Sequence, residues 1–174
     1  MKKIELLAPA GDEEALKAAI MAGANAVYMG GSRFGARAFA GNFEDDKLID
    51  AVDYAHQMGV KIYITANTII KDEEIGDFLN YIDFLYEIGV DAVILQDLGM
   101  IDIISKRIPD LELHASTQMT ASTAQDVLFL KELGVSRVVL SRELSYGEIS
   151  AIKTETNIEV EAFVHGALCV SYSG

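Results

Sequence analysis

The sequence predicts an α/β fold of the (β/α)8, TIM-barrel type, incomplete, with about seven strands and six helices. Three observations carry this expectation. Short apolar runs alternate with amphipathic stretches along the whole chain. A helix–Gly–strand junction recurs four times, at Gly23-Ala-Asn-Ala-Val-Tyr, Gly59-Val-Lys-Ile-Tyr-Ile, Gly89-Val-Asp-Ala-Val-Ile and Gly134-Val-Ser-Arg-Val-Val. The runs begin about 20 to 35 residues apart, the spacing of βα repeats on a parallel sheet.

The runs are Ile4–Leu7, Ala26–Met29, Val60–Thr65, Asp91–Leu95, Leu111–His114, Arg137–Leu140 and Ile158–Val164. They are short and rich in β-branched residues, as strands covered on both faces should be. The first helix is placed at Asp12–Ala22, with Asp12 as its N-cap and Gly23 as its stop. Glu44–Met58 runs to Gly59, Asp72–Ile88 to Gly89 and Thr120–Leu133 to Gly134. Glycine just past a helix end takes the left-handed conformation and turns the chain into the sheet. Another helix opens at Ser145, where Glu148 completes a capping box.

A barrel is favoured over an open, doubly wound sheet. The first strand is followed by Ala8-Pro9-Ala10-Gly11-Asp12, which lacks the dinucleotide fingerprint. Gly30-Gly31-Ser32-Arg33-Phe34-Gly35-Ala36-Arg37 is rich in glycine but has neither Walker nor Rossmann spacing. A complete barrel takes about 250 residues, and this chain has 174. It is expected to be one domain over residues 1–174, the front part of a longer protein. Its unpaired sheet edges would be covered by a partner copy.

Composition excludes several classes. Apolar residues make up 51% of the chain, too many for a disordered one. No stretch of ~18 apolar residues occurs, so no membrane span is expected. Met1-Lys2-Lys3-Ile4-Glu5 meets an acid at once, unlike a signal peptide. One cysteine, Cys169, excludes an internal disulfide framework and suits a cytoplasmic location. The net charge of −13 opposes non-specific nucleic-acid binding.

Strand parity suggests which side chains face the barrel interior. In the third run Lys61, Tyr63, Thr65 and Asn67 oppose Val60, Ile62 and Ile64. In the fifth, Glu112, His114 and Ser116 oppose Leu111 and Leu113. In the last, Glu159, Glu161, Phe163 and His165 oppose Ile158, Val160, Ala162 and Val164. Catalytic residues of this fold lie at C-terminal strand ends. That places Asn67, Gln96, Asp97, His114, Ser116, Gln118, Ser141, Arg142, Glu143, Glu161, His165 and Cys169 in the candidate group. Glu5, Lys61, Glu112, Arg137 and Glu159, near strand starts, are expected to form structural ion pairs.

Glu161 and His165, with His114, are the candidate acid–base groups. His114 is equally a satisfied core histidine on its own. Cys169 beside His165 suggests a thiolate or a metal ligand, against an inert buried cysteine. Arg33, Arg37 and Arg142 could bind a carboxylate or phosphate. Asn67, Ser116 and Gln118 would contact substrate beside them. The stripe Ile75, Phe78, Leu79, Ile82, Leu85 and Tyr86 is core packing.

The segment Glu161-Ala-Phe-Val-His-Gly-Ala-Leu-Cys-Val-Ser-Tyr-Ser-Gly174 resembles the signature of the collagenase-like peptidases, peptidase family U32. The matching residues are Glu161, Phe163, Gly166, Ala167, Leu168, Cys169 and Gly174. Leu6-Leu7-Ala8-Pro9-Ala10-Gly11, Gly23–Gly30, Phe34-Gly-Ala-Arg37, His114-Ala-Ser-Thr-Gln118 and Arg142-Glu-Leu-Ser145 resemble further family segments. The resemblance covers the whole chain and is strongest to the tRNA-hydroxylating branch.

The resemblance implies prephenate-dependent hydroxylation of wobble uridine at C5, in the full-length parent, with a 4Fe–4S cluster. Cys169 matches one of four cysteine ligands; the other three are absent from this chain, so the 174 residues alone are not expected to hold the cluster. Two alternatives are a peptidase working through Cys169 and His165, and an inactive scaffold that binds a partner. Neither a Gly-x-Ser-x-Gly elbow nor a His-Glu-x-x-His pair occurs. A cysteine bound to a cluster is not free to attack a peptide. The parent's partner would be tRNA or a small-molecule substrate, with no membrane involved.

Overall fold

In the computed structural model the described residues are 4–36 and 43–166. The chain divides into two compact units, Met1–Val93 and Ile94–Gly174. The first holds β1 (Leu7–Ala10), α1 (Glu13–Met21), β2 (Ala26–Gly30), α2 (Asp45–Gln57), β3 (Lys61–Ala66) and α3 (Ile75–Glu87). Strand β4 (Ala92–Leu95) spans the boundary. The second holds α4 (Leu98–Arg107), β5 (Glu112–Ala115), α5 (Ala124–Glu132), β6 (Arg137–Val139), α6 (Tyr146–Thr156) and β7 (Glu159–Glu161).

The strands follow one another in chain order. In the first unit β1 pairs in parallel with β2, Leu7 opposite Ala26, and β2 with β3, Ala26 opposite Lys61. The Asp91 N–H reaches the Ile62 carbonyl at 3.0 Å, bringing the chain into β4. In the second unit the Ser116 N–H meets the Leu95 carbonyl at 2.8 Å. There β5 pairs in parallel with β6, and β6 with β7. Sequential parallel strands joined by helices make this a (β/α)8-type fold carried through seven strands and six helices.

The repeated glycine junctions take the expected geometry. Gly23, Gly59, Gly89 and Gly134 all have positive φ, between 71° and 98°. At Gly134 space adds to conformation, because a Cβ there would lie 2.6 Å from the Ser105 Cβ. Asp12 caps α1 by accepting from the Ala15 N–H at 2.8 Å. Ser145 and Glu148 form the predicted capping box. All four residues of β4 are buried, and each large apolar side chain so covered contributes roughly 1.5–3 kcal/mol.

Several expected bounds move. The first strand forms over Leu7–Ala10 rather than Ile4–Leu7; Ile4 is 87% exposed. The strand includes Pro9, which has no N–H to give to a ladder. The stretch Thr120–Leu133 becomes helical only from Ala124, because Thr120 is left-handed (φ 53°) and Thr123 caps α5 with Asp126. Asp72–Glu74 forms a 3-10 turn before α3. On α3 the buried side chains are Phe78, Tyr81, Ile82 and Leu85. Tyr81 thus stands in the core, while Tyr86 is 45% exposed. The last strand stops at Glu161, so strand parity does not extend to Phe163 and His165, and Val164 is 93% exposed. Helix α4 forms over Leu98–Arg107, a stretch for which the sequence pattern places no helix.

Candidate functional site

In the first unit the predicted substrate-binding residues fasten the segment after β2. Asn67, one residue beyond β3, accepts from the Ala36 N–H at 3.2 Å. The Thr68 hydroxyl donates to the Phe34 carbonyl at 3.2 Å. Arg33 is paired with Asp45 at 2.6 Å, at the start of α2, and lies 4.6 Å over the Tyr81 ring. Phe34 takes a left-handed backbone (φ 58°) and sets its ring edge-on against Phe78 at 5.1 Å. Arg33 and Asn67 therefore hold the loop that leads toward Arg37, which itself lies outside the described residues.

This anchorage has a buried end. Burial, with Asp45 nearby, pushes the Tyr81 phenol up to about 12, while Arg33 acts against the shift. Its hydroxyl finds no hydrogen-bond partner among the described residues. The chain passes so close that a Cβ on Gly31 would meet the Tyr81 Oη at 1.9 Å. Elsewhere in the unit a groove of about 750 Å3 opens beside α1 and α2, lined by Asp12, Lys17, Phe43, Lys47 and Tyr54 among others. None of the predicted site residues lines it.

In the second unit a row of charged side chains crosses three strands. The register sets His114 opposite Arg137, and Arg137 opposite Glu159; Val139 is opposite Glu161. Arg137 Nη2 lies 2.8 Å from Glu159 Oε2, and its Nη1 lies 4.0 Å from Glu161 Oε2. The Arg137 side chain is 10% exposed and that of Glu161 16%. His114 is fully buried, its Nε2 3.6 Å from Glu112 Oε2. The strand-start ion pair expected of Arg137 and Glu159 is present. The same arginine also reaches the candidate acid–base residue Glu161, which parity alone did not bring out.

The C-terminal strand ends of this unit carry the remaining candidates. Ser116 caps the 3-10 turn Thr117–Met119. The Gln118 side-chain carbonyl is buried with no hydrogen-bond partner among the described residues, an acceptor that favours a donor from a ligand or water. Asp97 caps α4, accepting from the Met100 N–H at 3.0 Å, so it serves the helix. Ser141 is held by Ser122 at 3.0 Å between hydroxyls. Arg142 follows, its guanidinium 4.7 Å over the Phe163 ring. His165 is exposed, and Cys169 lies outside the described residues. The structure thus groups Arg137 with Glu159 and Glu161, and Arg142 with Phe163.

The donor set for a metal is incomplete on this chain. A 4Fe–4S cluster takes four cysteine thiolates, and the sequence has one cysteine. Among the described residues no three His, Cys, Asp or Glu side chains gather as a metal site. These 174 residues do not by themselves fit the cluster. Among the described residues no helix is long and apolar enough to cross a membrane.

The strand order and the site at strand ends define a (β/α)8-type α/β protein. The chain belongs to peptidase family U32, whose model matches residues 11–174. It is 45% identical over 99% of its length to a 23S rRNA 5-hydroxycytidine synthase of Escherichia coli, covering 26% of that protein. It is 42% identical over 99% of its length to tRNA hydroxylation protein P1 of Bacillus subtilis, covering 41% of it. An uncharacterized protease of Methanocaldococcus jannaschii is 38% identical over the whole chain, which covers 43% of that protein. The chain therefore spans less than half the length of these relatives. A solved U32 peptidase shares the fold with a TM-score of 0.76 at 16% identity, over 92% of this chain and 68% of that one.

Proposed function

We propose that the protein carrying this chain hydroxylates RNA, and that its substrate is the wobble uridine of tRNA, modified at C5 with prephenate as a required metabolite. The observation that supports this most is the naming of relatives. Proteins 36–45% identical over nearly the whole chain are called tRNA or rRNA hydroxylation proteins. In this reading Glu161, held beside Arg137, and buried His114 shape the site. His165 lies close in sequence to Glu161. Arg33, Arg37, Asn67, Ser116, Gln118 and Arg142 serve substrate binding. Cys169 is one of four ligands to an iron–sulfur cluster, with the other three outside these residues; when bound, the cluster supplies electron-transfer chemistry. The setting is cytoplasmic.

The peptidase alternative rests on the family's name and on one relative called a protease. The deciding experiment is nucleoside mass spectrometry of tRNA and rRNA from a strain lacking the gene. Loss of a hydroxylated pyrimidine, restored by the parent gene, supports the RNA reading. An unchanged nucleoside profile, together with gelatin or casein cleavage by the purified protein, overturns it.

A further inference from the structure

Arg142 and Phe163 form a cation–π pair. Arg142 leaves the end of β6 and Phe163 lies two residues past β7. The Arg142 Cζ lies 4.7 Å from the centre of the Phe163 ring. Phe163 is 42% exposed in this chain. Gly166, three residues beyond Phe163, has φ 141°, and a Cβ there would meet Arg142 Nη2 at 3.8 Å, an ordinary contact.

An exposed ring held against a guanidinium is a general feature of surfaces that stack unpaired bases. RNA loops are read this way because their bases are splayed out and every base has a π-face. The chain carries 27 acids against 14 bases, so its overall field repels RNA. A fixed cation beside a stacking surface offsets that repulsion at one place. We propose that the Arg142–Phe163 pair is a nucleobase platform on which one unpaired base of an RNA loop stacks, next to the Glu161 strand end. The proposal rests on the RNA reading above and adds the element that receives the base.

The test uses the natural full-length protein and an unmodified RNA hairpin with an unpaired uridine loop, measured by fluorescence anisotropy. Phe163→Leu keeps an apolar side chain and removes the ring; Phe163→Trp keeps a ring. The platform predicts that Phe163→Leu weakens binding by about 5- to 100-fold, the range for one stacked base. It predicts that Phe163→Trp binds as the parent does, and that both variants unfold at the parent temperature. Parent-like affinity in Phe163→Leu overturns the platform while leaving the RNA reading intact. Failure of the parent itself to bind the hairpin overturns both.

Discussion

Replacing Gly31 by alanine tests how tightly the loop after β2 is locked to α3. A Cβ at Gly31 would sit 1.9 Å from the Tyr81 Oη, and real Cβ contacts do not fall below 3.0 Å. One of the two must move by about 1 Å. Tyr81 has no exposed surface and packs against Phe34 at 5.8 Å and Phe84 at 6.2 Å, with Arg33 over its ring. Overpacking of this kind costs about 1–3 kcal/mol. In a Tyr81→Phe background the hydroxyl is gone, and the next atom, Cζ, lies at 3.2 Å. That closeness asks for a few tenths of an ångström, so the cost of Gly31→Ala should fall below about 1 kcal/mol. Tyr81→Phe alone should be neutral or stabilising, because it removes a buried hydroxyl that has no hydrogen-bond partner among the described residues.

Urea unfolding of the four proteins measures the coupling directly. Alkaline titration adds a second arm. Folding raises Tyr81 from its ordinary value of 10 to about 12. Between those values the folded protein keeps a proton that the unfolded chain has lost, so stability falls as pH rises through the window. The loss amounts to roughly 2–3 kcal/mol for a shift of this size, and Tyr81→Phe should abolish it. Additive effects of the two substitutions, or an identical alkaline limb in Tyr81→Phe, would refute the packing argument.

Three further outcomes follow from the same geometry. Arg137→Met leaves Glu161 without the cation 4.0 Å away and Glu159 without its partner at 2.8 Å. Since Glu159 is half exposed, the expected loss in urea unfolding is about 1–3 kcal/mol, less than for a fully buried pair. Asp91 Oδ2 accepts from the Ile62 N–H at 2.8 Å and pairs with His56 Nε2 at 2.9 Å. Asp91→Ala strands that part-buried N–H and should cost about 1–3 kcal/mol, with hydrogen exchange at Ile62 accelerated. The Ser145 side chain and N–H hold the Glu148 carboxyl below its ordinary range. Its contribution is present above that range and lost as pH falls through the lowered value. Ser145→Ala should cost about 1 kcal/mol and return the NMR titration of Glu148 toward normal.

Periodicity made the repeating unit legible because four of the helices run into a glycine of positive φ, and most of the strands are short, largely apolar runs. What it misjudged were places where a local hydrogen bond or a special residue outweighs the pattern. The first strand starts at Leu7, past most of the apolar run Ile4–Leu7, and the left-handed Thr120 delays α5. Parity identified the polar face of β5 but failed beyond Glu161, where the strand ends. The link between Arg137 and Glu161 was hidden because it depends on the register of β6 against β7, which no single-strand pattern encodes. Tyr81 was hidden because its significance lies in its contact with Gly31, fifty residues away. Phe163 was visible as a residue of the family signature, yet its stack with Arg142 needed coordinates.

The most direct test of the account is a reaction with purified components. The full-length protein, prepared without oxygen and with its iron and sulfide measured, is incubated with unmodified tRNA, prephenate and an added two-electron acceptor, with water as the oxygen source. The account predicts tRNA whose wobble uridine is one oxygen heavier, formed by the parent and lost in Glu161→Gln and Cys169→Ser. An iron-free protein that leaves the tRNA unchanged and cleaves gelatin would contradict it.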